Sequence, residues 1–154
     1  MKTTHRAGPP ARGGARSGRI LARLRTLCLA LPEAVEKPSH GEPTWFAGKG
    51  KVFATFDDHH HGAEHASVWL PLPFGAQEAL IARDPARFFR PPYVGASGWV
   101  GVVLDAAPDW DEVARLLREA YLHVATARRR AALTGATAPP APAPRRAGGR
   151  RGGR

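Results

Sequence analysis

The segment 88–105 constrains the fold most strongly, because it joins a rigid entry to a tight turn and then to a strand. Pro91–Pro92 fixes two φ angles and removes two backbone donors, so the chain enters the turn in an extended conformation. Gly95 and Gly98 bracket a turn in which a positive φ costs little. Residues 99–104 then form an apolar, β-branched run of strand length. The segment predicts a turn that leads into a buried strand, and it contains no known catalytic motif.

Three more strands are predicted earlier in the chain. The runs Thr44–Ala47 and Lys51–Phe56 flank a glycine-containing loop, a pattern typical of a β-hairpin, and Lys49 lies at the tip. Ala66–Pro71 predicts a third strand that is closed by prolines. The polar segment 33–43, which contains two prolines, is expected to be a connector. With the strand of the 88–105 segment, about four strands are expected.

Helices are predicted on both sides of these strands. Apolar residues recur at helical spacing over 18–31, and a short helix is expected over 75–83. Asp84, which is followed by proline, predicts one further helical turn. Asp109 with Glu112 three residues later has the spacing of a capping box at the start of the last helix. The order α-β-β-β-α-β-α predicts an α+β fold, in which the N- and C-terminal helices pack on a compact antiparallel sheet.

The formal net charge of +10 is concentrated at the two ends of the chain. Residues 1–19 carry five basic residues and no acid, and residues 128–154 carry eight arginines and no acid. Residues 20–127 carry ten basic residues against thirteen acidic ones, a net of −3. Composition therefore predicts a disordered basic tail over 1–18, a folded domain over 19–127, and a disordered tail rich in Arg, Ala, Pro and Gly after it. Such tails can hold nucleic acid by counterion release, although a GC-rich genome would produce the same composition unaided.

The single cysteine, Cys28, excludes an intramolecular disulfide and lies on the predicted first helix, where a buried thiol is usually an inert packing group. No apolar run approaches the ~18 residues that span a bilayer. Arg23 and Arg25 interrupt the apolar stretch near the N-terminus, which therefore does not fit a signal peptide. We expect a cytoplasmic protein with no membrane partner.

Four basic residues of the folded domain are predicted to bind nucleic acid. Lys49 and Lys51 can reach phosphate groups from the tip of the hairpin, and Arg87 and Arg90 flank the proline-stiffened aromatic segment. The alternative is a solvated hairpin with arginines that pair with nearby acids such as Asp84. The net negative charge of the domain favours that alternative.

A histidine-rich loop over 57–65 offers weak candidate metal ligands in His59, His61 and His65. Consecutive histidines in an extended segment point to alternate sides, and one loop rarely forms a closed site. Adventitious zinc or nickel binding is therefore expected instead of a functional centre. No metal or other cofactor is predicted.

The sequence contains no nucleophile elbow, phosphate-binding glycine loop or metalloprotease motif. His40 and Glu42 lie close together in the connector, with Tyr93 as a further candidate, but these residues do not form a known catalytic pattern. We therefore expect a protein that is not an enzyme. The tryptophans are expected to pack in the core or on the sheet, Trp99 among them, with Trp45 as the exception because it begins an edge-like strand.

Several linked motifs resemble the MmcQ/YjbR family of small bacterial proteins over roughly residues 20–127. They are Leu29–Ala34, Gly41–Thr44, Gly50–Ala54, Asp84–Phe89, Pro91–Gly95, Gly98–Gly101 and Asp109–Val113. The resemblance implies a compact α+β fold with a double-wing, CyaY-like arrangement, and it implies DNA binding; it brings no agreed catalytic residues. The predicted function is DNA binding through the tails and the hairpin. The alternative is a non-enzymatic module that binds a protein or a small ligand.

Overall fold

An antiparallel sheet of six strands lies at the centre of the computed structural model, which describes residues 12–59 and 64–135. The strands are β1 (Ala34–Ser39), β2 (Glu42–Ala47), β3 (Val52–Asp58), β4 (Ala66–Pro71), β5 (Phe88–Phe89) and β6 (Trp99–Val103). The helices are α1 (Arg12–Leu29), α2 (Ala76–Arg83), α3 (Trp110–Val124) and α4 (Ala127–Thr134), and a 3-10 turn spans Gly95–Ser97. The strand order is β1-β2-β3-β4-β6-β5. The α+β class with an antiparallel sheet is therefore confirmed, with six strands where about four were expected.

The two faces of the sheet have different surroundings. Helices α1 and α3 pack on one face, where Leu24 and Leu117 are fully buried against the strands. A bulge in β3 falls at Phe53, whose ring makes a T-shaped contact with Tyr121 of α3, with ring centroids 5.5 Å apart. The Tyr121 hydroxyl donates to the carbonyl of Pro32 at 2.6 Å, which ties α3 to the end of α1. Successive side chains of a strand point to opposite faces of the sheet, so the strand residues between these core residues lie on the other face. That face carries a cavity.

The cap predicted for the last helix is confirmed. Oδ1 of Asp109 accepts hydrogen bonds from the backbone N–H groups of Asp111 at 3.0 Å and Glu112 at 3.2 Å. These bonds satisfy two of the donors that a helix leaves unpaired at its start. The same acidic first turn suits the positive end of the helix dipole.

The expectation of a connector over 33–43 was wrong, because this segment forms β1 and pairs with β2. As an edge strand β1 tolerates Pro38 and charged side chains, which obscure the strand pattern in the sequence. The carboxylate of Glu36 holds β1 to α1 by accepting from Nε of Arg25 at 2.9 and 3.0 Å. The exception made for Trp45 was also wrong. Since β1 covers the edge of β2, Trp45 is fully buried.

Strand β5 was also missed by sequence reasoning. The turn predicted after Asp84 is present, since its carbonyl accepts from the N–H groups of Arg87 and Phe88, but the chain then becomes extended. The ring of Phe89 lies directly over Gly101 in β6, in the space that a side chain at that position would need. A two-residue strand is too short to display a periodicity in the sequence.

Helix α1 begins at Arg12, about six residues before its predicted start. Helix α4 begins at Ala127 and extends to Thr134, into the segment 128–154 that was expected to be disordered. Tertiary hydrogen bonds hold the early turns of α1. The hydroxyl of Ser17 donates to Asp58 at 2.8 Å, and Arg16 donates to the carbonyl of Asp105. The predicted tails otherwise fall in 1–11 and 136–154, outside the described residues. No helix in the described part of the chain has the length and hydropathy to cross a bilayer.

Candidate nucleic-acid interface

The turn between β2 and β3 presents two lysines to solvent. Gly48 adopts a φ of +62°, which an L side chain rarely adopts, and the N–H of Gly50 donates to the carbonyl of Ala47 at 3.0 Å. The N–H of Ala47 donates in turn to the carbonyl of Lys51 at 3.0 Å. This tight closure leaves the side chains of Lys49 and Lys51 exposed, as the hairpin in the sequence predicted.

Helix α4 packs beside this turn. The guanidinium of Arg129 fills the space next to Gly48 that a side chain there would occupy. Thr126 caps the helix by accepting from the backbone N–H of Arg129 at 3.5 Å, and Nε of Arg130 donates to the carbonyl of Leu122 at 2.7 Å. These contacts bring Arg129 to the lysine-bearing turn, and Arg128 and Arg130 flank it on α4. We call Lys49, Lys51, Arg128, Arg129 and Arg130 the basic surface.

The carboxylate of Glu33 lies at the basic surface. It accepts from Nη2 of Arg128 and from Nε of Arg129, each at 2.7 Å. The hydrogen bond from Arg129, followed by that from Arg128, keeps the pKa of Glu33 below its ordinary value. Since Glu33 is solvent-exposed, these ion pairs are screened by water and salt. Five cations beside one carboxylate leave a local excess of positive charge.

Arg90 lies further along the same end of the sheet. The side chain of Arg90 packs against Gly95. Arg90 lines one surface depression and Lys51 lines the next, and the two depressions share Ser97 and His123. Arg90 is exposed. The structure therefore places three of the four predicted residues, Lys49, Lys51 and Arg90, along one edge.

Arg87 is not brought to this edge. Its guanidinium lies 3.6 Å from a carboxylate oxygen of Asp84 and 3.7 Å from one of Glu112, which also pairs with Arg83 and Arg115. This is the pairing with nearby acids that the sequence left open as the alternative for the arginines. The carboxylates of Asp84 and Glu112 therefore offset the positive charge of Arg87.

The described histidines of the 57–65 loop, His59 and His65, lie at the opposite end of the sheet. His65 Nδ1 lies 2.8 Å and His59 Nε2 3.3 Å from the carboxylate of Asp105, which also accepts from the N–H of Ala66 at 3.0 Å. Burial raises the pKa of Asp105, but the bonds from Ala66 and His65 outweigh it and lower the pKa overall. Within residues 12–59 and 64–135 no group of three or more His, Cys, Asp or Glu side chains is arranged to hold a metal ion. The third candidate ligand, His61, lies outside these residues.

The comparison with family models decides the family. The YjbR family model matches residues 29–123, which is more than half of the chain. The chain belongs to the YjbR family. It is similar to the crystal structure of Deinococcus radiodurans protein DR2400, a DUF419 domain, with 21% identity, a TM-score of 0.57, and coverage of 67% of this chain and 76% of that chain. This likeness shows the fold alone, and no curated protein matched the chain.

The basic surface combines two parts of this YjbR protein. The β2–β3 turn lies inside the matched residues 29–123, whereas α4 lies beyond them. Sequence reasoning found the lysines but missed Arg128–Arg130 as part of a folded site, because their composition matched that of a disordered tail. Thr126, a good N-cap residue just before the arginines, was the signal that could have located α4.

The three residues considered for catalysis also meet in the YjbR domain. His40, Glu42 and Tyr93 line one cavity on the sheet face opposite α1 and α3, and the partly buried Trp99 lines it too. His40 and Tyr93 have φ angles of +52° and +65°, which are uncommon for residues other than glycine. Such outliers concentrate at functional sites. Sequence reasoning did not predict that the polar connector and the proline-rich turn would meet here.

Proposed function

We propose that this YjbR protein is a cytoplasmic, non-enzymatic protein that binds double-stranded DNA through the phosphate backbone. The observation that supports the proposal is the position of α4, which packs Arg129 against the lysine-bearing β2–β3 turn and carries Arg128 and Arg130 beside it. The folded domain thereby gains a concentrated basic surface, although residues 20–127 alone have a net charge of −3.

The shape and chemistry of the basic surface suit a phosphate backbone. The turn projects from the end of the sheet with exposed lysines, and the side chain of Arg128 is 77% exposed. Arginine can grip a phosphate with two parallel N–H bonds, while lysine contributes a mobile point charge. Contacts of this kind position a protein on DNA but carry no sequence information. Binding is therefore expected to be independent of base sequence and strongly dependent on salt.

The arginines beyond the described residues contribute in the same way. Residues 136–154 contain five arginines and no acid, directly after α4 in the chain. Their charge raises the affinity without requiring a fixed position, since counterion release depends on the number of phosphates neutralised. The folded surface and the terminal segment are distinguishable by separate substitutions.

The test is fluorescence anisotropy with a labelled DNA duplex of mixed sequence, titrated with the full-length protein across about 50–200 mM salt. The plot of log K against log salt has a negative slope, and the Lys49→Gln/Lys51→Gln variant is expected to make that slope less steep by about 1.8, which is 0.9 for each lost phosphate contact. The matched control is Arg83→Gln/Arg115→Gln, which removes two positive charges beside Glu112 at the other end of the sheet. This control is expected to leave the slope nearly unchanged.

Two further variants separate the contributions. Replacing the five arginines of residues 136–154 with glutamine measures the share of the terminal segment, and Arg87→Gln measures the fourth predicted residue, whose ion pairs predict a small effect. The proposal fails if the terminal variant abolishes binding while the lysine variant has no effect, because the folded domain would then not contact DNA. Tighter binding to single-stranded DNA or RNA of the same length would contradict the assignment to duplex DNA.

A further inference from the structure

The sheet face opposite α1 and α3 carries a cavity with the size of a small-molecule site. Its volume is about 590 Å³, within the range of roughly 300–1,000 Å³ that is usual for ligand pockets. The sheet forms its floor, and the connector between β5 and β6 forms one wall through Tyr93 and Val94. Among the described residues, those of the basic surface do not line this cavity. A ligand can therefore occupy it whether or not the protein binds DNA.

The floor of the cavity offers a ligand few polar contacts. The hydroxyl of Thr44 donates to the carbonyl of Glu42 at 3.1 Å and lies 3.4 Å from the hydroxyl oxygen of Thr55. The carboxylate oxygens of Asp57 have almost no accessible surface, so a molecule in the cavity cannot contact them. The surface that the described residues present inside the cavity is almost entirely apolar.

The other side chains that line the cavity are largely aromatic. Trp69 and Trp99 belong to strands on this face, and the indole N–H of Trp69 donates to the hydroxyl of Ser67 at 3.0 Å, which orients its ring. Tyr93 lines the cavity from the connector with a φ of +65°, an uncommon conformation of the kind that is found at ligand clamps. Aromatic rings pack best against other flat rings, either offset-stacked or edge to face.

The size of the cavity favours a small molecule over a protein partner. A stable protein interface buries about 800 Å² on each partner. The accessible surface inside the cavity is well below that area. A recess of this kind instead surrounds most of a small ligand, which gains contacts from several walls at once.

We propose that this cavity binds a neutral, flat aromatic molecule, such as a substituted quinoline or naphthalene. The ring system packs against Trp69, Trp99 and Tyr93, and ring contacts add to the free energy of burying apolar surface. A charged molecule of the same shape loses hydration on entry, and the apolar walls do not replace it. The cavity therefore selects against charge of either sign.

Three bicyclic probes of similar shape test this selection: quinaldine, which is neutral at slightly alkaline pH, the cation N-methylquinolinium, and the anion quinaldate. Binding to the full-length protein is measured by calorimetric titration and by saturation-transfer NMR. Quinaldine is expected to bind at least about tenfold more tightly than either ion, because an ion loses its hydration. No quinaldine binding up to its solubility limit, or an ion that binds as tightly as quinaldine, overturns the proposal.

NMR of the wild-type protein locates the site without any substitution. The indole N–H signals of Trp69 and Trp99 are expected to shift when quinaldine is added. The signals of Trp45 and Trp110 are internal controls, since Trp45 is fully buried and the Arg23 guanidinium lies 4.7 Å from the Trp110 ring centroid. The absence of a shift at both Trp69 and Trp99 contradicts the proposal, as do shifts confined to the two control signals.

Filling the cavity tests its location independently. Val94→Trp adds a large ring to the wall and is expected to weaken quinaldine binding at least about tenfold, because the apolar contact area for the ligand is lost. Val35→Trp is the matched control, because Val35 in β1 is 36% exposed and does not line the cavity. Circular dichroism verifies the fold of both variants. Unchanged quinaldine affinity in folded Val94→Trp contradicts the proposal, and the NMR test stands if that variant does not fold.

The chain's own C-terminal segment is another apolar occupant. Residues 139–144 contain four prolines, and proline-rich segments dock in aromatic-lined grooves. Quinaldine is therefore also titrated into the full-length variant with these four prolines replaced by serine. Equal affinity in both proteins supports a small-molecule site. Binding that occurs only in the variant overturns the proposal and assigns the cavity to the proline-rich segment.

Discussion

Replacing Glu33 with glutamine is expected to strengthen DNA binding. Glu33 accepts hydrogen bonds from Arg128 and Arg129, each at 2.7 Å, and it is the carboxylate that lies at the basic surface. Glutamine keeps the size of the side chain but removes its charge. The formal charge of Glu33 together with the five cations rises from +4 to +5.

The size of the effect depends on which arginine is released. The side chain of Arg129 is only 15% exposed and is packed against Gly48, whereas that of Arg128 is 77% exposed and has Glu33 as its ion-pair partner. One additional phosphate contact is therefore expected, which steepens the slope of log K against log salt by about 0.9. The affinity advantage of Glu33→Gln over the wild type should shrink about threefold between 50 and 200 mM salt.

The assay is the anisotropy titration with the same duplex at several salt concentrations. Glu64→Gln is the matched control, because it removes one exposed negative charge near the start of β4, at the opposite end of the strands. Strand β3 has seven residues, so the control lies roughly 20 Å from the basic surface. It is expected to change the slope little, since charges at that distance are screened at these salt concentrations.

Two results would refute this reasoning. The first is a Glu33→Gln affinity that falls, accompanied by faster tryptic cleavage at α4, which would make Glu33 an anchor of the helix whose loss outweighs the gain in charge. The second is an equal increase in Glu33→Gln and Glu64→Gln, which would mean that net charge alone determines binding.

Three further predictions concern packing and pH. Gly48→Ala places a methyl group where the Arg129 guanidinium lies, and it also puts alanine in a left-handed backbone conformation that costs about 1 kcal/mol. Helix α4 should therefore become more accessible to trypsin, and DNA binding should weaken. Tyr121→Phe removes the bond to Pro32 and should lower the free energy of unfolding by about 1–2 kcal/mol in urea denaturation; an unchanged midpoint would contradict the role given to that bond. Because folding lowers the pKa of Asp105, its ionised carboxylate stabilises the fold fully above the pKa of the unfolded state, and this stabilisation is lost as pH falls through the pKa of the folded state. The difference in unfolding free energy between wild type and Asp105→Asn should therefore disappear at acid pH. A difference that stays constant between pH 7 and pH 3 would show that the charge of Asp105 contributes nothing.

Local chemistry explains what was predictable. The cap at Asp109 and the apolar stripe after it define α3 without reference to the rest of the chain. The alternation in β2 and β3 and the glycines between them define a hairpin with exposed lysines in the same way. The linked motifs also pointed to the YjbR family, which the match over residues 29–123 shows.

The sequence by itself determined the fold class, the family and the lysine-bearing turn, because each depends on periodicity, turn chemistry or short motifs. Tertiary structure alone decided that the 33–43 segment contains strand β1, that Trp45 in the neighbouring strand is fully buried, and that α4 packs beside the turn. It also decided that Glu42 and Asp57 share one cavity with three aromatic rings. The physical reason is the same in each case. An edge strand and a short arginine-rich helix are stabilised by partners distant in sequence, and a cavity forms where distant segments meet. Apart from the N-cap residue Thr126, their residues carry no pattern that distinguishes them from a loop.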